Sequence, residues 1–298
     1  ASLEAGALLG LADCQLAAGQ VQEASEGYRQ TLSSFVQQGD HHAEAMSYSG
    51  LGNVALTYGR LDEARKYYEM AIQTHEEMGI QKNKAVPLQN LGIVYAKQGD
   101  ATRALEHYKQ ALDIQVAFVA PHYEGLLLQN IGNVHIAEGR PKDALEHFNR
   151  AIRIFHQLGD ERLEFRVRAS MAVLHADQGR DVEALEEYRQ AIKMAEGLGD
   201  WIFVGRILGN MGVMHMERGR LEEAKQHYLR AIDIHVETGN RRSEGIVYGN
   251  MGELLSIQGE LDAAIEYYNR ALEIHREVGN PPFEAVVVGS LGESLLRQ

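Results

Sequence analysis

Residues 132–151 read GNVHIAEGRPKDALEHFNRA, and this stretch contains the spacing that decides the fold. The small residue Gly132 is followed by Ala144 twelve positions later, by Phe148 at sixteen and by Ala151 at nineteen. The same order of small, small, aromatic and small residues recurs in each of seven full units of the chain, and only Thr31 departs from it at the last place. Because residues four apart lie on one face of a helix, the spacing predicts an interlocking pair between packed helices.

Repetition extends over the whole chain with a period of 40 residues and no insertion. The predicted units are 1–40, 41–80, 81–120, 121–160, 161–200, 201–240 and 241–280, followed by a half unit at 281–298. Glycine stands near the middle and the end of almost every unit, and it reaches the left-handed backbone conformation that commonly ends a helix. Each full unit is therefore predicted to be helix, turn, helix. Val119 interrupts the glycine column and predicts a locally different turn.

The forty-residue unit resembles the tetratricopeptide repeat, in which a small residue of the first helix precedes Ala, aromatic and Ala residues at these distances. Its length is similar to that of the repeats in Pins-type polarity scaffolds and in bacterial regulators of the Rap and MalT kind. The Leu-Gly-Asn signature of those scaffolds is complete at Leu51, Gly52 and Asn53, but Ile93 replaces its asparagine one repeat later. The resemblance implies an all-α fold, a right-handed solenoid in which residues 1–298 form a single superhelical domain.

The resemblance also implies that the first helix of each repeat lines the inner wall of the solenoid, where an extended peptide or a partner helix binds. Helical spacing assigns the second, sixth, ninth, tenth, thirteenth and seventeenth positions of each unit to this wall. Amide side chains occupy eight wall positions: Asn53, Gln89, Asn90, Gln129, Asn130, Asn133, Asn210 and Asn250. Since an amide both donates and accepts hydrogen bonds, this row is predicted to pair with a peptide backbone. The alternative is that these amides satisfy local carbonyls at helix crossings.

Basic side chains form a second feature of the predicted wall. Lys82 lies on the wall of the third unit, and the fifth to seventh units place four arginines there: Arg162, Arg166, Arg206 and Arg242. Because a guanidinium binds a carboxylate through two parallel hydrogen bonds, we expect this stretch to bind an acidic segment of a protein or peptide partner. The alternative is that the arginines pair with the neighbouring Glu161, Glu164 and Glu244.

Composition excludes several classes of partner. The net charge is −13, so the chain lacks the excess of Lys and Arg that binding to nucleic acid or to anionic lipid requires. No apolar run approaches the roughly 20 residues that span a bilayer. Cys14 is the one cysteine and cannot form an intramolecular disulfide, which favours a reducing, cytoplasmic setting.

Signals for catalysis, cofactors and metals are weak. Residues 50–55 read GLGNVA and match a relaxed dinucleotide fingerprint, but they lie inside a predicted helix with no preceding strand. None of the thirteen histidines forms a pair three or four residues apart, so they are interpreted as surface or groove-lining side chains rather than metal ligands. We therefore predict no enzymatic activity, no cofactor and no metal site.

Three roles follow for the chain. The leading one is a protein-interaction scaffold or sensor module that binds a peptide or helix in its groove. A second is self-association through the terminal half unit, where Val286, Val287 and Val288 lie on a helix without a covering partner, unless this helix is itself the cap or the chain was cut at this point. A third is a regulatory domain of a larger enzyme or transcription regulator. Because the chain opens without Met in a helical pattern, we expect it to be a piece of a longer protein.

Overall fold

The computed structural model describes residues 2–297, with the side chains of residues 6–297. Within this range the fold consists of helices joined by short turns. The fifteen α-helices in this range are α1 (Ser2–Ala17), α2 (Val21–Gln38), α3 (His41–Thr57), α4 (Leu61–Glu77), α5 (Ala85–Lys97), α6 (Ala101–Ala117), α7 (Pro121–Ala137), α8 (Pro141–Leu158), α9 (Glu161–Asp177), α10 (Asp181–Gly197), α11 (Trp201–Glu217), α12 (Leu221–Glu237), α13 (Arg241–Gln258), α14 (Leu261–Glu277) and α15 (Pro281–Arg297). A short 3₁₀ turn, Gln81–Lys84, precedes α5. The predicted all-α array of seven helical pairs and one terminal helix is confirmed.

The helices group into two compact units, Ala1–Leu158 and Gly159–Gln298, called here the N-terminal and C-terminal units. Within each repeat the two helices pack against each other, and inside each compact unit the second helix also packs against the first helix of the next repeat. Ala1 and Gln298, the ends of the predicted single domain, lie outside the described residues. That the two units act as one domain stays a prediction.

Helix ends follow the signals in the sequence. The carboxylates of Asp40 and Asp200 accept hydrogen bonds from the backbone amides of Ala43 and Phe203, each at 3.1 Å, and so cap α3 and α11. Such a cap satisfies one of the amides that the first turn of a helix leaves without a backbone partner. Among residues 2–297, no helix combines the length and the apolar character that a bilayer span requires.

Glycine and an aromatic ring form the joint between the two helices of a repeat. A Cβ atom built on Gly132 would lie 2.5 Å from the ring of Phe148, and one on Gly212 would lie 2.3 Å from the ring of Tyr228. Both rings are fully buried. We call this contact the aromatic socket; it allows the two helices to approach more closely than any larger residue would permit.

A second joint lies nearer the start of the first helix and joins the fifth position of a repeat to the thirty-fifth. Gly125 packs against the ring of Phe155, and Gly205 packs against His235. Repeat 5 reverses the sizes, since its fifth position is Phe165 and its thirty-fifth is Ala195, both buried in one hydrophobic cluster. The joint therefore keeps one large and one small partner, whichever helix supplies them.

Val119 adopts the left-handed conformation with φ of 51°, where every corresponding position in the other full repeats is a glycine. The backbone hydrogen bonds of this turn, from Val119 N to Val116 O and from Ala120 N to Gln115 O, follow the pattern of the glycine turns, so the prediction of a locally different turn is wrong. A left-handed conformation costs a side chain with a Cβ atom about 1–2 kcal/mol, and the Val119 side chain is 84% exposed, so it gains little from packing.

Replacing this valine by glycine is therefore expected to stabilise the N-terminal unit. We expect Val119→Gly to raise its free energy of unfolding by about 1 kcal/mol, measured by urea denaturation followed by circular dichroism. The matched reverse change is Gly79→Val, at the same position one repeat earlier, where φ is 72°. Gly79→Val should lower the urea midpoint. Equal midpoints for Val119→Gly and Gly79→Val would contradict a cost of the left-handed valine.

Candidate functional site

The predicted wall positions lie on the first helices of both compact units, and this set of positions is called here the inner strip. The five basic side chains predicted for it are all exposed: Lys82, Arg162, Arg166, Arg206 and Arg242. Asn133 and Asn210 are exposed as well, and the remaining six amides are half-buried: Asn53, Gln89, Asn90, Gln129, Asn130 and Asn250. Lys82 and the amides up to Asn133 belong to the N-terminal unit, and the four arginines with Asn210 and Asn250 belong to the C-terminal unit.

In the N-terminal unit the inner strip borders a cavity of about 530 Å³ that successive first helices line together. Asn53 and Lys82 lie on its wall, together with the apolar side chains of Met46, Val86 and Tyr123. A surface depression built from several repeats, with apolar walls and a few polar groups, can hold a segment of another chain.

Asn53 is partly occupied by contacts within the unit. Its Oδ1 accepts a hydrogen bond from the Tyr68 hydroxyl at 2.7 Å and another from Asn90 Nδ2 at 3.1 Å. The amide of Asn53 thus satisfies neighbouring side chains rather than the backbone carbonyls of the alternative interpretation. Within residues 6–297, Asn53 Nδ2 and Asn90 Oδ1 have no hydrogen-bond partner and remain open to a ligand.

Two further amides of this unit, Asn130 and Asn133, line a neighbouring cavity of about 540 Å³ together with Lys97 and Tyr108. In the part of the chain that the structure describes, neither amide forms a side-chain hydrogen bond, and the same holds for Gln89 and Gln129. These four amides retain both their donors and their acceptors for an external partner.

The C-terminal unit contains the four arginines of the inner strip. Among its described residues, Arg162, Arg166, Arg206 and Arg242 form no ion pair. Two of the three glutamates named as their alternative partners contact other arginines: Glu164 pairs with Arg168 at 2.7 Å, and Glu244 pairs with Arg241 at 2.9 Å. Self-pairing of the four arginines with these two glutamates is therefore not what the structure contains.

Arg206 illustrates the electrostatics of this stretch. Its guanidinium carbon lies 4.8 Å from the centre of the Phe203 ring, and the side chain is partly desolvated there. This desolvation, and next the positive charge of Arg166, lower the pKa of Arg206, while Asp200 opposes the shift. Arginine stays protonated at neutral pH, so the two like charges repel, and a bound anion would relieve that repulsion.

Buried histidines lie behind the inner strip, which corrects the interpretation of the histidines as surface or groove-lining groups. Five of them are less than one tenth exposed: His75, His135, His215, His235 and His275. Three of the five occupy the thirty-fifth position of their repeats, a column that also contains Phe35 and Phe155 and continues the apolar stripe of the second helix. That column was the signal that the sequence interpretation missed.

His235 has the most perturbed titration of this group. It is fully buried against Gly205, and neither of its ring nitrogens has a hydrogen-bond partner among the described residues. Burial, and next the positive charge of Arg206, lower the pKa of His235 to about 4. The imidazole is therefore neutral in the folded chain at physiological pH. Within residues 6–297, no group of three or more His, Cys, Asp and Glu side chains is placed to bind a metal ion.

Comparison with known proteins connects this geometry to a family. A family model described as tetratricopeptide repeat matches residues 3–77, 59–117, 123–197 and 203–277. No curated protein matches the chain.

Solved structures share the fold at low sequence identity. The apo form of RapI has a TM-score of 0.73 and 16% identity, with 93% of this chain and 99% of that chain covered. A Rap protein in complex with competence and sporulation factor has a TM-score of 0.69 and 14% identity, covering 91% of this chain and 75% of that one. A tetratricopeptide repeat protein from Parabacteroides merdae has a TM-score of 0.66 and 17% identity over 98% of both chains.

Proposed function

The chain belongs to the tetratricopeptide repeat family, and on that premise we propose that its inner strip binds a segment of another protein that carries carboxylates. Tetratricopeptide repeat folds commonly act as protein-interaction modules, and one solved structure of the same fold is a Rap protein in complex with competence and sporulation factor. The resemblance supports binding of a protein or peptide. The acidic character of the partner is inferred from the side chains of this chain.

The observation that carries the acidic character is the set of arginines without ion pairs in the C-terminal unit. In a chain of net charge −13, positive side chains usually find carboxylates nearby, as Arg168 does with Glu164 and Glu187. Arg166 and Arg206 instead form no ion pair among the described residues, and the pKa of Arg206 is lowered first by desolvation and next by the positive charge of Arg166, with Asp200 opposing the shift. A carboxylate that binds both guanidiniums would form charge-assisted hydrogen bonds and remove the repulsion.

Amides of the inner strip support the same proposal from the other unit. Gln89, Gln129, Asn130 and Asn133 have unused donors and acceptors, which suit the backbone of an extended segment whatever its side chains. The amides of the N-terminal unit are therefore proposed to contact the backbone of a bound segment, and the arginines of the C-terminal unit are proposed to select acidic side chains.

Charge reversal at Arg166 and Arg206 tests this proposal. The probe is a library of labelled 15-residue peptides that vary in net charge, and binding is measured by fluorescence anisotropy at several salt concentrations. We expect acidic peptides to bind the unaltered chain and to lose at least about tenfold in affinity with Arg166→Glu combined with Arg206→Glu. Salt should weaken binding to the unaltered chain and have less effect on the variant.

A matched control changes the overall charge by the same amount at a distance from the strip. Arg29 and Arg153 lie on exposed surfaces of second helices, so Arg29→Glu combined with Arg153→Glu should leave the affinity of the acidic peptides nearly unchanged. If both double variants weaken binding equally, general charge explains the attraction. If neutral or basic peptides bind best, the partner is not acidic.

Other predicted roles remain predictions. Self-association through residues 281–298 is favoured by one observation, the exposed apolar side chains of α15. A cytoplasmic location and a place within a larger enzyme or transcription regulator follow from the sequence interpretation alone.

A further inference from the structure

In the N-terminal unit, a cluster of hydrogen bonds joins repeat 2 to repeat 3. The Oδ1 atom of Asn53 accepts from the Tyr68 hydroxyl at 2.7 Å and from Asn90 Nδ2 at 3.1 Å. Repeat 1 forms the first of these contacts with a carboxylate, since the Tyr28 hydroxyl donates to Asp13 Oδ1 at 2.6 Å. In both repeats the buried tyrosine therefore donates to an oxygen at the thirteenth position of its own repeat.

Repeat 3 keeps both donors of this cluster and lacks the oxygen. Tyr108 occupies the position of Tyr68. Asn130, in repeat 4, occupies the position of Asn90, but the thirteenth position of repeat 3 is Ile93. Within residues 6–297, neither the Tyr108 hydroxyl nor the Asn130 amide has a hydrogen-bond partner. Two donors are thus present where no side chain of the chain accepts from them.

Repeat 4 shows the converse loss. Its thirteenth position is Asn133, but the residue at the tyrosine position is Phe148, which has no hydroxyl to donate. Asn133 consequently forms no side-chain hydrogen bond among the described residues. Tyr108, Asn130 and Asn133 line the same cavity of about 540 Å³. Three polar side chains without partners therefore meet at one cavity.

The ring of Tyr108 is fixed before any ligand binds. It is 2% exposed, and a Cβ atom built on Gly92 would lie 2.6 Å from it, which is the contact of the aromatic socket. A polar group that is buried without a partner is unfavourable, and a ligand that accepts from the Tyr108 hydroxyl removes this cost. The ligand must reach into the cavity to do so, which suits a side chain better than a backbone carbonyl.

The lining of the cavity favours an uncharged ligand that both accepts and donates. Lys97 and Glu138 contribute opposite charges to it, and Glu138 also contacts Arg140 at 2.6 Å. The amide oxygen of Asn133 is an acceptor without a donor, alongside the two unpaired donors. A carboxylate can only accept, whereas a carboxamide supplies both an oxygen that accepts and a nitrogen that donates.

We propose that this cavity binds the carboxamide of an asparagine or glutamine side chain that the bound segment supplies. The carboxamide oxygen accepts from Tyr108 and Asn130, as the oxygen of Asn53 accepts from their counterparts in the preceding repeat. The carboxamide nitrogen donates to Asn133 Oδ1. This inference rests on the proposed function, because it names a side chain of the segment that the amides of the N-terminal unit contact.

The test uses capped single amino acids as probes. N-acetyl-asparagine methylamide and the matching derivatives of aspartate, leucine and alanine are titrated against the 298-residue chain, with binding measured by saturation-transfer NMR. We expect capped asparagine to bind at least about fivefold more tightly than each of the others. Tighter binding of capped aspartate would assign the cavity to a carboxylate, and equal binding of capped alanine would assign it to a peptide backbone. Either result overturns the proposal.

Variants of the chain locate the site. Tyr108→Phe removes one donor, and Ile93→Asn supplies the missing oxygen from within the chain, so each should weaken binding of capped asparagine at least about fivefold. Tyr68→Phe is the matched control and should leave binding unchanged, because that hydroxyl donates to Asn53 already. Ile93→Val controls for the loss of the isoleucine side chain. Unchanged binding by Ile93→Asn, or equal weakening by Ile93→Val, overturns the proposal even if Tyr108→Phe fails to fold.

The failure of this inference can be told apart from the failure of the proposed function. Charge reversal at Arg166 and Arg206, which belong to the other compact unit, should not change the affinity for capped asparagine. If capped asparagine binds while acidic peptides do not, the acidic partner is wrong and the carboxamide site stands. If acidic peptides bind through the arginines while capped asparagine binds no better than capped alanine, the carboxamide site alone is wrong.

Discussion

Between pH 7 and pH 5, the unaltered chain is expected to lose about 2 kcal/mol of stability through His235 alone, and this loss should vanish in His235→Phe. The pKa of His235 is lowered to about 4 in the folded chain, against an ordinary value of 6.5. The unfolded chain therefore binds the proton first as pH falls through 6.5, and stability drops until the pH reaches the folded value, where the total loss is about 3 kcal/mol.

Phenylalanine is the suitable replacement because the chain already uses it at the same position. Phe155 packs against Gly125 as His235 packs against Gly205, so the ring should fit without overpacking. The measurement is the free energy of unfolding in urea at pH 7, 6 and 5 for both proteins. If the free energy of unfolding falls with pH equally in the unaltered chain and in His235→Phe, protonation of His235 does not cause the loss of stability.

Replacing Gly212 with alanine is the second change with a large expected effect. The added Cβ would lie 2.3 Å from the buried ring of Tyr228, so α11 and α12 must separate or the ring must move. We expect Gly212→Ala to lower the free energy of unfolding by about 1–3 kcal/mol, as overpacked cores do. Alanine itself is tolerated in this column at Ala172, so the loss arises from the spacing of the two helices in this repeat.

Gly209 supplies a control of opposite sign on the same helix. A Cβ there would lie 3.6 Å from Val247, an ordinary contact, and the residue is mid-helix. Gly209→Ala should therefore raise the free energy of unfolding by about 0.5–1 kcal/mol, since alanine is the better helix former. Urea denaturation measures the change in the free energy of unfolding for Gly212→Ala and for Gly209→Ala. Equal destabilisation by the two variants would show that the close contact with Tyr228 is not the cause.

Much of the fold could be predicted because the deciding residues repeat. Gly132 with Phe148 and Gly212 with Tyr228 mark the joints by spacing alone, and the packed structure places each pair in contact. Thr31, which replaces the last alanine of the repeat pattern, does not disturb the packing. Its hydroxyl donates a hydrogen bond to the Tyr28 carbonyl at 3.0 Å, and the residue stays fully buried.

Partner choice among side chains could not be predicted in the same way. By helical spacing, Glu164 can reach more than one arginine. In the folded chain it binds Arg168, which Glu187 of α10 also contacts at 2.9 Å. That choice depends on a second helix, and among the described residues it leaves Arg166 and Arg206 without an ion pair. Likewise, the burial of His235 depends on Gly205 of the opposite helix. The spacing of histidines within one helix contains no information about that contact.

The reversed joint of repeat 5 limits how such an array can recombine during evolution. A crossover inside the turn of a repeat could join α9 to α12, which would place Phe165 against His235, or α11 to α10, which would leave Gly205 opposite Ala195. The first product is overfilled and the second contains a void. Crossovers at the boundary between repeats keep each large residue with its small partner, so the helical hairpin, not the single helix, is the module that can be duplicated or exchanged in this gene.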